Sequence, residues 1–160
     1  MSGAAVQKAH TAPPLRLEDF FDGASTAWGI FQDRFGTVRQ QFRVDVHGDW
    51  DAARGHLHLR EDFTYTTGRT EQRVWEVEKL GDDHYRGHTQ GVVGHADIRR
   101  TGSTVNLRYR MRVPIGSQTW TLAFDDWMFR QDTGVVINRA EVRKFGLLIG
   151  AATICFHKAM

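Results

Sequence analysis

The sequence predicts an all-β domain: a single antiparallel up-and-down β-barrel of about ten strands, lipocalin- or calycin-like, with a short helical turn near its N-terminus. Three observations predict it. Glycines at 36, 48, 55, 68, 81, 91, 102, 116 and 134 punctuate the chain at turn-like spacing. Between them apolar and polar residues alternate with a period of two, the signature of half-buried strands. No stretch of helical length shows a helical period. A long meander leaves two open edges unless it closes, so a barrel is favoured over a ten-stranded sandwich.

Taken in order, residues 1–14 are small, polar and unpatterned, and read as a flexible tail ahead of a domain spanning 15–160. Pro14 can open a turn, after which Leu17, Phe20 and Phe21 can cover one end of a core. Strands are expected over 24–32, 38–47, 56–65, 71–79, 84–89, 92–99, 104–113, 117–130, 135–144 and 147–157. In the second, Phe42, Val44 and Val46 alternate with Arg43, Asp45 and His47. In the third, Leu57 and Leu59 alternate with His56, His58 and Arg60. In the seventh, Val105, Leu107, Tyr109, Met111 and Val113 oppose a face of Asn106, Arg108, Arg110 and Arg112. Cys155 falls within the last strand and reads as a small packing residue.

Turn chemistry sets the register, and the register selects candidate site residues. A three-residue loop at Thr66-Thr67-Gly68 places Leu57 opposite Val77, Leu59 opposite Trp75 and Glu61 opposite Arg73. A two-residue loop within Pro114-Ile115-Gly116-Ser117 sets Met111 opposite Trp120, Tyr109 opposite Leu122, Leu107 opposite Phe124 and Val105 opposite Asp126. A three-residue loop at Asp132-Thr133-Gly134 sets Met128 opposite Asn138 and Asp126 opposite Ala140. Glu61, Arg73, Asp126 and Asn138 then share the apolar face with Trp75, Tyr109, Trp120 and Phe124. A slip of one residue would turn every one of them to the other face. Buried ions cost several kcal/mol each unless paired, so Glu61 and Arg73 are expected to be partners. These eight residues are the candidate ligand-binding set.

Composition excludes several classes. Lys+Arg number 21 against Asp+Glu 19, and the 17 arginines and 4 lysines are scattered, so no nucleic-acid or polybasic membrane patch is expected. The single cysteine allows neither an internal disulfide nor a cysteine-rich zinc site. The most apolar run, 145–156, is too short and too interrupted for a membrane helix, so stable membrane insertion is not expected. No signal-peptide pattern is seen, and a cytoplasmic location is the expectation. His56 and His58 share a strand face at a spacing zinc sites use, yet that face reads as solvent and lacks a third ligand. Neither a metal nor a cofactor is expected. On the outer side, Trp127 and Phe129 are adjacent apolar residues, a contact face for a homodimer or for the N-terminal segment.

Several segments carry a resemblance: Leu17-Glu18-Asp19-Phe20-Phe21-Asp22-Gly23, Trp28-Gly29-Ile30-Phe31-Gln32-Asp33-Arg34-Phe35-Gly36, Glu61-Asp62-Phe63-Thr64-Tyr65, Arg73-Val74-Trp75, Phe124-Asp125-Asp126-Trp127-Met128 and Ile137-Asn138-Arg139. With these the chain resembles the bacterial family of domain of unknown function 3833 over nearly its whole length. The resemblance implies a lipocalin-like β domain and no established activity. Many members resemble lipoproteins with a lipidated N-terminal cysteine, whereas here the one cysteine is Cys155, which implies an unanchored version. True lipocalins open with Gly-x-Trp, and here the order is Ala27-Trp28-Gly29.

Three functional readings follow. The first is non-enzymatic binding of a small amphipathic or lipid-like molecule in the barrel, with the carboxylate–arginine set orienting its head group and the aromatics covering its body. The second is an enzyme using Asp126 or Glu61 as general acid or base with Arg73 on a similar substrate. The third is a protein-interaction module using the Trp127–Phe129 surface.

Overall fold

Alternation along each strand becomes an inside and an outside. In the computed structural model, which describes residues 11–159, Val44, Val46 and Gly48 are buried while Arg43, Asp45 and His47 are exposed. A helix α1 (Leu17–Phe20) precedes the strands β1 (Gly23–Asp33), β2 (Val38–Asp51), β3 (His56–Tyr65), β4 (Thr70–Gly81) and β5 (His84–His88). Then follow β6 (Ala96–Thr101), β7 (Thr104–Ile115), β8 (Gln118–Asp132), β9 (Val135–Lys144) and β10 (Leu147–His157). Each strand pairs antiparallel with the next, and β1 pairs with β10, so the ten strands close into a barrel. Closure leaves no edge for another chain to add to.

Two of the three predicted registers are observed. Glu61 faces Arg73 and Leu59 faces Trp75, with Gly68 in the left-handed conformation that the three-residue loop requires (φ 88°). Met128 faces Asn138 and Asp126 faces Ala140. The β7–β8 hairpin differs. Its turn is Gly116-Ser117, so Ile115 faces Gln118, Met111 faces Leu122, Tyr109 faces Phe124 and Leu107 faces Asp126. The displacement is two residues. Because the strand period is also two, inward residues stay inward while each moves along the barrel axis.

The strand expected over 92–99 begins only at Ala96. Gly91 and Gly94 both hold positive φ (95° and 70°), a conformation that breaks an extended run. The segment turns at Thr89–Val92 and touches β7 through an isolated bridge from Val92 to Met111.

One end of the barrel is plugged. Leu15, Leu17, Phe20 and Phe21 are buried with Val46, Leu57, Tyr85, Ile98, Val105, Val136 and Phe156. Full burial of such a side chain contributes about 1.5–3 kcal/mol. Gly48 lets the plug seat, since a Cβ there would lie 1.8 Å from the Phe21 carbonyl oxygen. Of the tail expected over 1–14, residues 1–10 lie outside the described residues. The Pro14 carbonyl accepts a hydrogen bond of 2.8 Å from Arg130 Nη1, so the chain is already fastened there.

Candidate functional site

The inward faces do not fill the barrel. A cavity of about 690 Å³ remains between the plug and the opposite end. That size falls within the range of about 300–1,000 Å³ typical of small-molecule sites. Leu17 and Phe21 form its floor, and Arg39, Arg69, Pro114 and Ile115 mark its rim. In an up-and-down barrel alternate hairpins share an end, so the β1–β2, β3–β4, β7–β8 and β9–β10 turns ring the mouth.

Seven of the eight predicted site residues line this cavity: Glu61, Arg73, Trp75, Tyr109, Phe124, Asp126 and Asn138. Their aromatic rings form a continuous wall. Trp75 meets Tyr109 edge-on at 5.3 Å, and Tyr109 stacks on Phe124 at 4.9 Å. The eighth, Trp120, does not line it. The two-residue displacement of the β7–β8 register brings Trp120 opposite Val113, nearer the turn and at the rim. There Lys144 Nζ sits 3.2 Å above its ring and its Nε1 donates to Gln118 Oε1.

The expected Glu61–Arg73 partnership is also corrected. The two residues face each other across β3 and β4, but the Arg73 guanidinium reaches along its own strand to Glu71 Oε1 at 3.4 Å. It also lies over the Phe63 ring. An arginine stem is long enough to reach past the residue opposite, toward a carboxylate nearer water. Glu61 is left facing the apolar cavity. Burial pushes its carboxyl up to about 7, Arg73 pulls it partway down, and Asp126 and Glu71 push it up again. Asp126 is pushed up to about 6 by burial, against a hydrogen bond from Asn138 Nδ2. Asn138 Nδ2 also donates to the Trp127 carbonyl at 3.1 Å, and Asn106 Nδ2 to the Asp126 carbonyl at 3.2 Å, so the Asp126 backbone and side chain are held in place. Burial raises the Tyr109 hydroxyl well above its ordinary value, with Asp126 adding to the effect. The interior is thus an apolar chamber with one tethered carboxyl, Asp126, and one untethered, Glu61.

Sequence reasoning missed two groups. Near the mouth, Tyr65 donates to Glu71 Oε2 at 2.9 Å, Arg69 covers the Tyr65 ring at 4.0 Å, and Phe42 and Phe63 pack alongside. Alternation from Phe63 to Tyr65 points to this cluster, because both share the parity of Glu61. At the floor, buried Glu18 accepts hydrogen bonds from Lys79 Nζ and the Tyr85 hydroxyl. Burial pushes the Glu18 carboxyl up, but the bonds from Lys79 and Tyr85 outweigh it and hold the group below its usual range.

Outside the barrel, Trp127 and Phe129 stack with ring centroids 6.2 Å apart and are 38% and 40% exposed. Phe129 faces Ile137, Ile137 faces Cys155, and Cys155 faces Trp28, making an apolar row across four strands. Cys155 is therefore exposed rather than a packing residue, since the parity of β10 sends Ile154 and Phe156 inward instead. His56 and His58 share Glu76 on the outer face, at 2.9 Å and 2.6 Å. Among the described residues no three metal-ligating side chains converge.

The model of a family described as "Protein of unknown function (DUF3833)" matches residues 2–158. A solved protein of unknown function from the DUF3598 family of Nostoc punctiforme is 10% identical, with a TM-score of 0.67, over 97% of this chain and 53% of its own. This chain thus spans about half the length of that protein. An S-type phycobiliprotein lyase from Guillardia theta is 7% identical, with a TM-score of 0.65, over 91% of this chain and 94% of its own. At such identities the likeness is one of fold: a lipocalin-like barrel. No curated protein matches the chain.

Proposed function

This chain belongs to the DUF3833 family, and we propose that it binds a small amphipathic, lipid-like molecule inside its barrel. One observation carries the reading. An apolar cavity of about 690 Å³ holds, midway along its wall, a carboxyl at Glu61 that no hydrogen bond from the described residues compensates. Buried polar groups are normally satisfied, and an unsatisfied one facing open volume is suited to a ligand group. Trp75, Tyr109 and Phe124 supply the surface for an apolar body. The likeness in fold to a phycobiliprotein lyase fits a barrel that holds a small molecule. The polar end of the molecule brings hydrogen-bond donors or a positive charge to Glu61 and Asp126. A carboxylate head group would meet two like charges once both ionise.

The test is a titration of single-chain alkyl amphiphiles, each below its micelle concentration, followed by Trp75 emission. Alkylammonium and alkanol probes are expected to bind more tightly at pH 8 than the matching alkanoate, with the preference shrinking at pH 5. Glu61→Gln should flatten that pH dependence. Ala140→Phe, which fills the chamber, should weaken every probe at least tenfold. Absence of saturable change for all probes, or unaltered binding by the Ala140→Phe protein, would overturn the reading.

A second reading rests on the same carboxyl. A group pushed up to about 7 suits proton transfer near neutral pH. It differs in one measurable way: a bound probe would be chemically altered, and Glu61→Gln would abolish turnover while leaving binding intact.

A further inference from the structure

The mouth of the barrel carries apolar side chains that the fold does not use. Phe35, at the β1–β2 turn, is 79% exposed, and Phe145, at the β9–β10 turn, is 93% exposed. Leu147 and Ile115 on neighbouring rim segments are 67% and 40% exposed. Phe145 and Gly146 are the two central residues of their turn, both at positive φ (51° and 78°). Such a turn favours Asn-Gly, and a bulky aromatic in the left-handed region is uncommon. Phe145 thus holds an unfavourable backbone position while its ring stays exposed, with the ammonium group of Lys144 5.3 Å from its centre.

Charge at the rim has one sign left over. The acids of the rim segments are already held, Asp33 by Arg39 at 2.7 Å and Glu71 by Arg69 and Arg73. Arg34, Arg112 and Lys144 have no carboxylate partner among the described residues. Arg34 instead covers the Phe35 ring at 4.7 Å, and Lys144 lies between Trp120 and Phe145. Aromatic tips with adjoining cations match the interface of an anionic bilayer, where rings enter the headgroup layer and lysine or arginine meets phosphate.

We propose that the open rim of the barrel docks on an anionic lipid bilayer, presenting the cavity mouth to the membrane as the source or destination of its occupant. The exchange of an occupant rests on the binding reading above, whereas docking itself stands on the rim alone. Docking requires no membrane-spanning helix, and none of the described helices is long and apolar enough to be one. It places Phe35 and Phe145 in the interface together, with Trp120 at headgroup level and the Glu18 plug facing away.

The experiment is co-sedimentation with sucrose-loaded vesicles of phosphatidylcholine alone, or with about a third phosphatidylglycerol. Wild-type protein is expected to bind the anionic vesicles, at least tenfold more weakly in half-molar salt and on neutral vesicles. The double variant Phe35→Ser, Phe145→Asn should lose at least tenfold in partitioning. Phe145→Asn supplies the residue its turn prefers, so folding is retained. Trp127→Ser, on the outer wall, should bind vesicles as wild type does. The same double variant, titrated with soluble alkylammonium, should bind it normally, so failure of the cavity reading and failure of docking give different results. The proposal is overturned if wild type stays with the supernatant on anionic vesicles, or if the double variant sediments equally well. It is overturned too if wild type is a dimer that the double variant converts to monomer without vesicle binding, which would assign the rim to a second copy.

Discussion

The two ends of the barrel use the same residue types to opposite effect. At the plugged end several charged side chains are turned on the protein itself. Lys158 Nζ donates to the carbonyls of Phe20 and Asp22, and Arg130 donates to those of Pro14 and Thr133. The Asp22 carboxylate takes the Trp50 amide, and Glu18 takes Lys79 and Tyr85. The phenylalanines there, Phe20 and Phe21, are buried. At the open end Phe35 and Phe145 are exposed, and Arg34 and Lys144, without a carboxylate partner among the described residues, rest on rings. Burial and satisfied hydrogen bonds mark the end that holds the fold together. Unused apolar surface and uncompensated charge mark the end available to other molecules. The cavity between them belongs with the open end, because Glu61 presents to it a carboxyl that no described residue hydrogen-bonds.

The sharpest way to break this comparison is to remove a carboxyl from each region. The folded chain keeps the Glu61 proton up to about pH 7, whereas the unfolded chain releases it near 4.5. Stability therefore falls as pH rises from 4.5 to about 7, and that loss approaches about 3 kcal/mol. Glu61→Gln should match wild type at pH 4 and exceed it by up to about 3 kcal/mol at pH 8 in urea unfolding. Glu18 should behave in the opposite sense. Its carboxyl is held below the usual range, so its contribution is present above that range and lost as pH falls through it. Glu18→Ala should cost about 2–3 kcal/mol at pH 7, somewhat less than the roughly 3–5 kcal/mol of breaking a fully buried pair, because Lys79 keeps some water. Equal effects of the same sign from both variants would erase the distinction.

Two smaller effects sharpen it. Arg73→Ala should cost only about 1 kcal/mol, because its bridge to Glu71 is roughly a third exposed. A loss of several kcal/mol would show that the guanidinium compensates Glu61 after all. Phe145→Asn should raise stability by about 0.5–1 kcal/mol, since Asn-Gly suits its turn. A destabilised Phe145→Asn protein would mean that the ring contributes to the fold.

How much of this was legible in the sequence depended on distance along the chain. The β3–β4 register followed from three turn residues, and with it the facing of Glu61 and Arg73. At β7–β8, Pro114 suggested a turn one residue too early, which moves every cross-strand partner by two. The even displacement kept Phe124 and Asp126 inside but carried Trp120 to the rim. Alternation shows which way a side chain points and not where a flexible one ends, so the reach of Arg73 to Glu71 was not readable. Nor was the cavity, because a parity pattern carries no information on whether inward volumes fill the space they enclose. The plug was glimpsed in Leu17, Phe20 and Phe21. Its ion pair was not, since Glu18 meets Lys79 and Tyr85 from 61 and 67 residues away.

The seam between β1 and β10 sets the order of assembly. Residues Thr26 to Asp33 have no permanent partner on one side until Gly150 to His157 have been synthesised. During translation the nascent sheet therefore grows with β1 as an open edge, its amides and carbonyls available to any passing strand. Closing a contact of such sequence separation is slow relative to forming the local hairpins. The chain is thus most exposed to aggregation in the interval between release of β9 and docking of β10, and anything that delays that final strand lengthens the hazard.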